Sequence, residues 1–134
     1  MNEQSAAYDT IVVGGGPSGA TAANDLARSG HKVLLLERGF RIKPCGGAIP
    51  PCLMAEFDIP EHLLVARIRS ARMVSPRGEA VDMPIDGTYV GMVDRDEFDP
   101  WLRERARKSG ADVVAGVFKS LRYVDDRIEL TYQT

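Results

Sequence analysis

Tyr8-Asp9-Thr10-Ile11-Val12-Val13 runs directly into Gly14-Gly15-Gly16-Pro17-Ser18-Gly19, and this stretch decides the fold. The β-branched run reads as a short buried strand that ends in a glycine turn. From Pro17 to Ser29 helix formers take over. Ala20, Ala23, Leu26 and Ala27 make one small apolar face, and Ser29-Gly30 closes the helix. Lys32 to Leu36 is a second apolar strand, with Glu37 immediately after it. Strand, turn, helix and strand in this order predict a βαβ unit, whose strands run parallel.

The spacing Gly14-x-Gly16-x-x-Gly19 gives each glycine a physical task. Gly14 permits the tight turn, Gly16 leaves room for a pyrophosphate against the backbone, and Gly19 lets the helix pack closely on the strands. The helix start offers N–H groups and partial positive charge to phosphates. Glu37, at the end of the second strand, can accept from both hydroxyls of an adenosine ribose and would repel a 2′-phosphate. Against a plain surface turn beside a surface acid, the full arrangement favours an adenine dinucleotide. FAD and NAD share this fingerprint. The long excursion from Gly39 to Val93 before the next clear helix favours FAD, because an NAD domain would repeat a compact helix and strand there.

Further along, short helices are expected at Pro51 to Glu56 and Pro60 to Val65, and strands at Ile68 to Val74, Ala80 to Met83 and Tyr89 to Val93. Ser75-Pro76-Arg77-Gly78 reads as a hairpin turn. Asp94 and Glu97 have capping-box spacing at the start of a helix to Ser109, with Phe98, Leu102 and Ala106 on its core face. Pro100 predicts either a kink or a fresh start capped by Asp99, and the kink is the preferred outcome. Asp112 to Ala115 is then a strand, and Phe118 to Val124 with Arg127 to Tyr132 form a hairpin about Asp125-Asp126.

Composition narrows the function classes. The 134 residues, 44% hydrophobic and 27% charged, suit one soluble globular domain. A net charge of −2 with no basic run excludes a phosphate-tracking nucleic-acid surface. No apolar run could cross a bilayer, and Met1 to Ala7 lacks the parts of a signal peptide, so a cytoplasmic location is expected. Cys45 and Cys52 have neither zinc spacing nor the setting of a structural disulfide, and no metal site is expected. Cys52 is expected to pack within its short helix, and His31 and His62 to lie on the surface.

Val12 to Ala23, Glu37-Arg38, Lys43-Pro44-Cys45-Gly46-Gly47-Ala48-Ile49-Pro50, Glu56 to Pro60, Val93 to Asp99 and Leu102 to Ala106 together resemble the geranylgeranyl reductase family of flavoproteins. The likeness is greatest to its chlorophyll and bacteriochlorophyll branch and covers the chain from Tyr8 onward. It implies an α/β, Rossmann-like FAD-binding domain of the aromatic-hydroxylase type, incomplete over 1–134, with substrate-domain strands inserted in the 39–93 excursion. The implied activity is saturation of C=C bonds in a geranylgeranyl chain to phytyl, with FAD as cofactor and NADPH as hydride donor. The substrate would be an isoprenoid diphosphate or a tetrapyrrole ester, and peripheral association with the photosynthetic membrane follows from its lipid character. A monooxygenase or halogenase of the same fold, and a non-catalytic dinucleotide-binding piece, are the rival readings.

The resemblance places Gly14, Gly16, Pro17, Ser18, Gly19, Glu37 and Arg38 in the adenosine-diphosphate half of the FAD site. Arg38 either lies against adenine or phosphate, or is a solvated charge. Arg95 is assigned to the ribityl and pyrophosphate region in preference to an intrahelical pair with Asp99. Pro44, Cys45, Gly46, Gly47 and Ala48 form the loop beside flavin and substrate. Cys45 is either a group that orients the alkene or helps protonation, or a small buried thiol. Trp101 either covers the sheet or awaits a further segment. The resemblance also implies a C-terminal part of the same protein with more of the FAD site. Taken alone, 134 residues are expected to be inactive, poorly soluble and weak in flavin affinity.

Overall fold

The computed structural model describes residues 6–39, 45 and 47–134. Its elements are β1 (Thr10–Val13), α1 (Pro17–Arg28), β2 (Val33–Glu37), β3 (Ala48–Ile49), α2 (Pro51–Glu56), β4 (Leu64–Ile68), β5 (Ser70–Val74), β6 (Ala80–Pro84), β7 (Val90–Val93), α3 (Arg95–Lys108), β8 (Asp112–Ala115), β9 (Val117–Val124) and β10 (Arg127–Gln133). They fall into two compact units, 1–41 with 99–134, and 42–98.

In the first unit a parallel sheet has the order β1-β2-β8. The central strand is the most apolar, and Val33, Leu34, Leu35 and Leu36 are all buried. At roughly 1.5–3 kcal/mol for each such side chain, this strand anchors the unit. Ala20 and Ala23 of α1 are fully buried, as the small-residue face requires. The helix ends on Ser29 with Gly30 at a φ of +87°. Gly30 N–H donates to Ala27 C=O at 3.0 Å and His31 N–H to Leu26 C=O at 3.1 Å, the paired bonds of a Schellman ending. Strands β9 and β10 form the expected antiparallel hairpin, with a register shift between Thr131 and Tyr132. Leu121, Tyr123 and Ile128 stand exposed on it.

The second unit holds an antiparallel sheet of order β3-β7-β4 and the separate hairpin β5-β6. Two expectations change here. The strand foreseen from Ile68 to Val74 is two strands, because β4 pairs with β7 while β5 pairs with β6. The helix foreseen over Pro60 to Val65 is only a 3-10 turn at Glu61–Leu63, since Leu64 already pairs with Val93. The Ser75-Pro76-Arg77-Gly78 turn forms as expected, with Gly78 N–H on Ser75 C=O at 2.9 Å.

Helix α3 runs unbroken from Arg95 to Lys108 with Pro100 inside it, so the fresh start at Asp99 does not occur. Asp94 caps it by accepting from Asp96 N–H at 2.9 Å, one position earlier than a capping box would place the bond.

On the exposed β5-β6 hairpin, Arg72 forks onto Asp82, Nε to Oδ1 at 2.6 Å and Nη2 to Oδ2 at 2.8 Å. Hydrogen bonding to this guanidinium lowers the Asp82 carboxyl below the ordinary aspartate value. A depressed folded-state value means that the pair's contribution is present above the unfolded-state value and is lost as pH falls through the folded one. The Asp82 carboxyl carbon should therefore titrate below the ordinary aspartate value by NMR, and Arg72→Met should return it to that value. An unchanged midpoint would remove the pair from consideration.

Candidate functional site

The turn between β1 and α1 is built from both sides. Gly14 N–H donates to Leu36 C=O at 2.8 Å, which carries the β1-β2 ladder into the turn itself. Gly14 then takes a φ of +108°, a conformation that side chains oppose. Gly16 is the N-cap residue of α1, with no side-chain cap bond and Pro17 in the first turn. A Cβ added at Gly16 would meet nothing within 4 Å, so the backbone there stands open to a ligand. At Gly19 the opposite holds, because a Cβ would fall deep inside the Gly14 carbonyl oxygen. The first-turn N–H groups of Ser18 and Gly19 have no intrahelical acceptor to reach.

Glu37 turns toward this loop. Its Oε2 accepts from Gly15 N–H at 2.6 Å and its Oε1 from Gly39 N–H at 3.1 Å. Its own backbone is fixed in β2, opposite Ala115, with its C=O accepting from Gly116 N–H at 2.8 Å. Each carboxylate oxygen has a second lone pair. The main chain therefore orients the carboxylate and leaves it two acceptor positions.

Two residues of this cluster escape motif reasoning. Gly15 occupies a free position of the glycine spacing, yet it is buried. A Cβ on it would meet Glu37 Cβ at 3.0 Å and Arg103 Cδ at 3.1 Å. Arg103 lies on α3, is 7% exposed, and donates from Nη1 to Gly15 C=O at 3.0 Å. A sequence signal did exist. Asp99, Leu102, Arg103 and Ala106 share one helical face at i, i+3, i+4 and i+7, and all four are buried.

Of the other candidates, Ser18 and Arg38 are exposed, Pro17 is half-buried, and Arg95 is half-buried at the start of α3. Pro44 and Gly46 lie outside the described residues. In the second unit, Gly47 has a φ of +68° and its C=O accepts from Val93 N–H at 2.9 Å. A Cβ on Gly47 would overlap the Val93 carbonyl oxygen. Ala48 pairs with Met92 in β3 and is exposed. Cys45 and Cys52 are both exposed. Cys52 does not pack as expected, since α2 buries none of its residues. Trp101 is half-buried and carries the Arg105 guanidinium 4.8 Å from its ring centre, which settles how that ring is covered on one side. His31 and His62 are exposed, as expected.

With the turn, its acid and the parallel strands in place, comparison with known proteins gives a family. The model of FAD-dependent oxidoreductases matches residues 9–113. The chain belongs to this family. The resemblance read from the sequence also holds. The chain is 64% identical over 111 residues to geranylgeranyl diphosphate reductase of Rhodobacter capsulatus, covering 83% of this chain and 28% of that protein. It is 49% identical over 118 residues to the chloroplastic geranylgeranyl diphosphate reductase of Oryza sativa subsp. japonica, covering 84% and 25%. The chain thus spans about a quarter of the length of these relatives. A geranylgeranyl bacteriochlorophyll reductase-like protein of Thermoplasma acidophilum superposes with a TM-score of 0.80 at 26% identity, over 93% of this chain and 36% of that one. A halogenase solved with phloroglucinol and FAD shares the fold, with a TM-score of 0.74 at 24% identity over 94% and 31%.

As a member of the FAD-dependent oxidoreductases, the chain is α/β with a parallel Rossmann-like sheet. The residues present fit the adenosine-diphosphate half of an FAD, a half that NAD shares. The open backbone at Gly16 suits a diphosphate, and the two acceptor positions of Glu37 suit two ribose hydroxyls. Among the described residues, no helix is long and apolar enough to cross a membrane.

Proposed function

We propose that this chain is the adenosine-diphosphate-binding part of an FAD-dependent geranylgeranyl reductase that saturates C=C bonds of the isoprenoid to give a phytyl chain. The observation that carries the reading is the Glu37 carboxylate, held by Gly15 and Gly39 N–H at the glycine turn with acceptor positions to spare. The names of the relatives supply the substrate class. Bound flavin would supply the hydride chemistry, with NADPH as the reductant. The chain's own residues do the holding. Gly14, Gly16, Pro17, Ser18 and Gly19 shape the diphosphate cradle, Glu37 grips the ribose, and Arg38 and Arg95 are the cations assigned to the phosphates. The loop that contains Pro44, Cys45, Gly46, Gly47 and Ala48 is assigned to the substrate side. The exposed thiol of Cys45 suits a group that orients the alkene there. Saturation of each double bond takes one hydride and one proton, so one NADPH is consumed per bond. The isoprenoid is either a free diphosphate or a tetrapyrrole ester, and its lipid character favours peripheral contact with the membrane that stores it.

The full-length protein, incubated without oxygen with NADPH and geranylgeranyl diphosphate or its tetrapyrrole ester, should yield products heavier by two hydrogens per bond reduced. Comparison of the two substrates identifies the physiological form. Products that appear only with oxygen would transfer the protein to the monooxygenase or halogenase reading.

A further inference from the structure

Gly15 is held at both ends by opposite charges. Its N–H is taken by the Glu37 carboxylate at 2.6 Å, and its C=O by the Arg103 guanidinium at 3.0 Å, from a residue 88 positions away in the chain. Arg103 Cδ and Glu37 Cβ lie 3.1 and 3.0 Å from the point where a Gly15 Cβ would stand, closer than ordinary van der Waals contact, so the glycine is clasped rather than merely adjacent. Arg103 is itself 7% exposed and is the buried arginine of α3, where Arg95 and Arg105 are half-buried and Arg107 is exposed.

We propose that Arg103 is a positioning residue for the diphosphate-binding turn. The Gly15 carbonyl and the Gly16 N–H belong to one peptide plane, which is trans, so they point in opposite directions. By drawing the carbonyl inward, the buried guanidinium directs the Gly16 N–H out of the packed interior, on the residue whose Cβ position is open. A charge-assisted bond to a carbonyl holds that plane more firmly than a neutral donor would. The same plane left free would have to be ordered by the ligand at its own cost. The inference rests on the dinucleotide reading above, but not on which dinucleotide is bound.

The test uses the full-length protein stripped of cofactor, titrated with ADP and, separately, with adenosine, which lacks the diphosphate. Arg103→Met should raise the Kd for ADP about 10-fold while adenosine stays within about twofold, and Arg103→Lys should fall between, near threefold. General loosening of the fold would weaken both ligands alike. Equal weakening of the two, or no change in either, overturns the proposal. If the methionine variant does not fold, the lysine variant decides by the same comparison, and an ADP affinity equal to wild type overturns it. Wild-type protein that binds ADP but not FAD would overturn the proposed function and leave the clamp standing. Binding of neither would overturn both.

Discussion

Gly19→Ala should be the most damaging single methyl group that can be added to the first unit. A Cβ there falls inside the Gly14 carbonyl oxygen and also approaches Val12 Cγ1 at 3.3 Å. Neither obstacle is the free end of a flexible side chain. Gly14 is tied to β2 through its bond to Leu36, so the turn cannot yield without breaking the ladder. The helix must instead lift from the strand, which exposes Ala20 and Ala23. Overpacking of this kind costs about 3 kcal/mol or more, a large part of a domain's stability. Gly30→Ala is the contrasting control. It also has positive φ, but a Cβ there meets nothing within 4 Å. Only the backbone penalty remains, about 1 kcal/mol. Denaturant midpoints should therefore fall far more for the first variant than for the second, and FAD binding should be lost only in the first. Equal shifts would mean that the helix does not rest on the turn.

The parts of the fold that the sequence makes legible are those whose determinants are local. Strand β1, helix α1 and strand β2 follow from a β-branched run, a glycine turn and a small-residue face, and they lie within a residue or two of where those signals put them. Helix α2 and strand β8 occupy the foreseen Pro51–Glu56 and Asp112–Ala115. Where pairing decides, the sequence says less. Nothing local separates Ile68 from Ser70, yet one side of that boundary belongs to the β7 sheet and the other to the β6 hairpin. Two-residue β3 exists only because Ala48 and Ile49 meet Met92 and Gly91.

The site follows the same rule. Gly14, Gly16, Gly19 and Glu37 are readable because a short span carries a fixed spacing. Gly15 is invisible to that spacing, since its constraint comes from Glu37 and from Arg103 on a distant helix. Cys52 is exposed rather than packed for a related reason. Burial of a residue in a short helix depends on what packs over it, and α2 presents no buried residue at all.

Glu37→Ala should weaken FAD binding by about 100-fold in the full-length protein, measured by quenching of flavin fluorescence. The carboxylate makes two main-chain bonds that fix its orientation, and the remaining lone pairs are what a ribose can use. Loss of two charge-assisted bonds, at about 1.5 kcal/mol each, corresponds to that factor. Glu37→Gln separates orientation from charge. An amide has one accepting oxygen, whose two lone pairs can keep the Gly15 bond and one ribose bond, while the NH2 in place of Oε1 accepts from neither Gly39 N–H nor the second hydroxyl, and affinity should drop by about 10-fold. Charge also sets which nucleotides are refused. A 2′-phosphate placed against the Glu37 carboxylate meets like charge, whereas Glu37→Ser removes the repulsion and supplies a hydroxyl donor. Wild type should therefore ignore 2′-phospho-ADP at concentrations that the serine variant binds. An alanine variant within threefold of wild type for FAD would place the ribose elsewhere, and the role assigned to this end of β2 would fall with it.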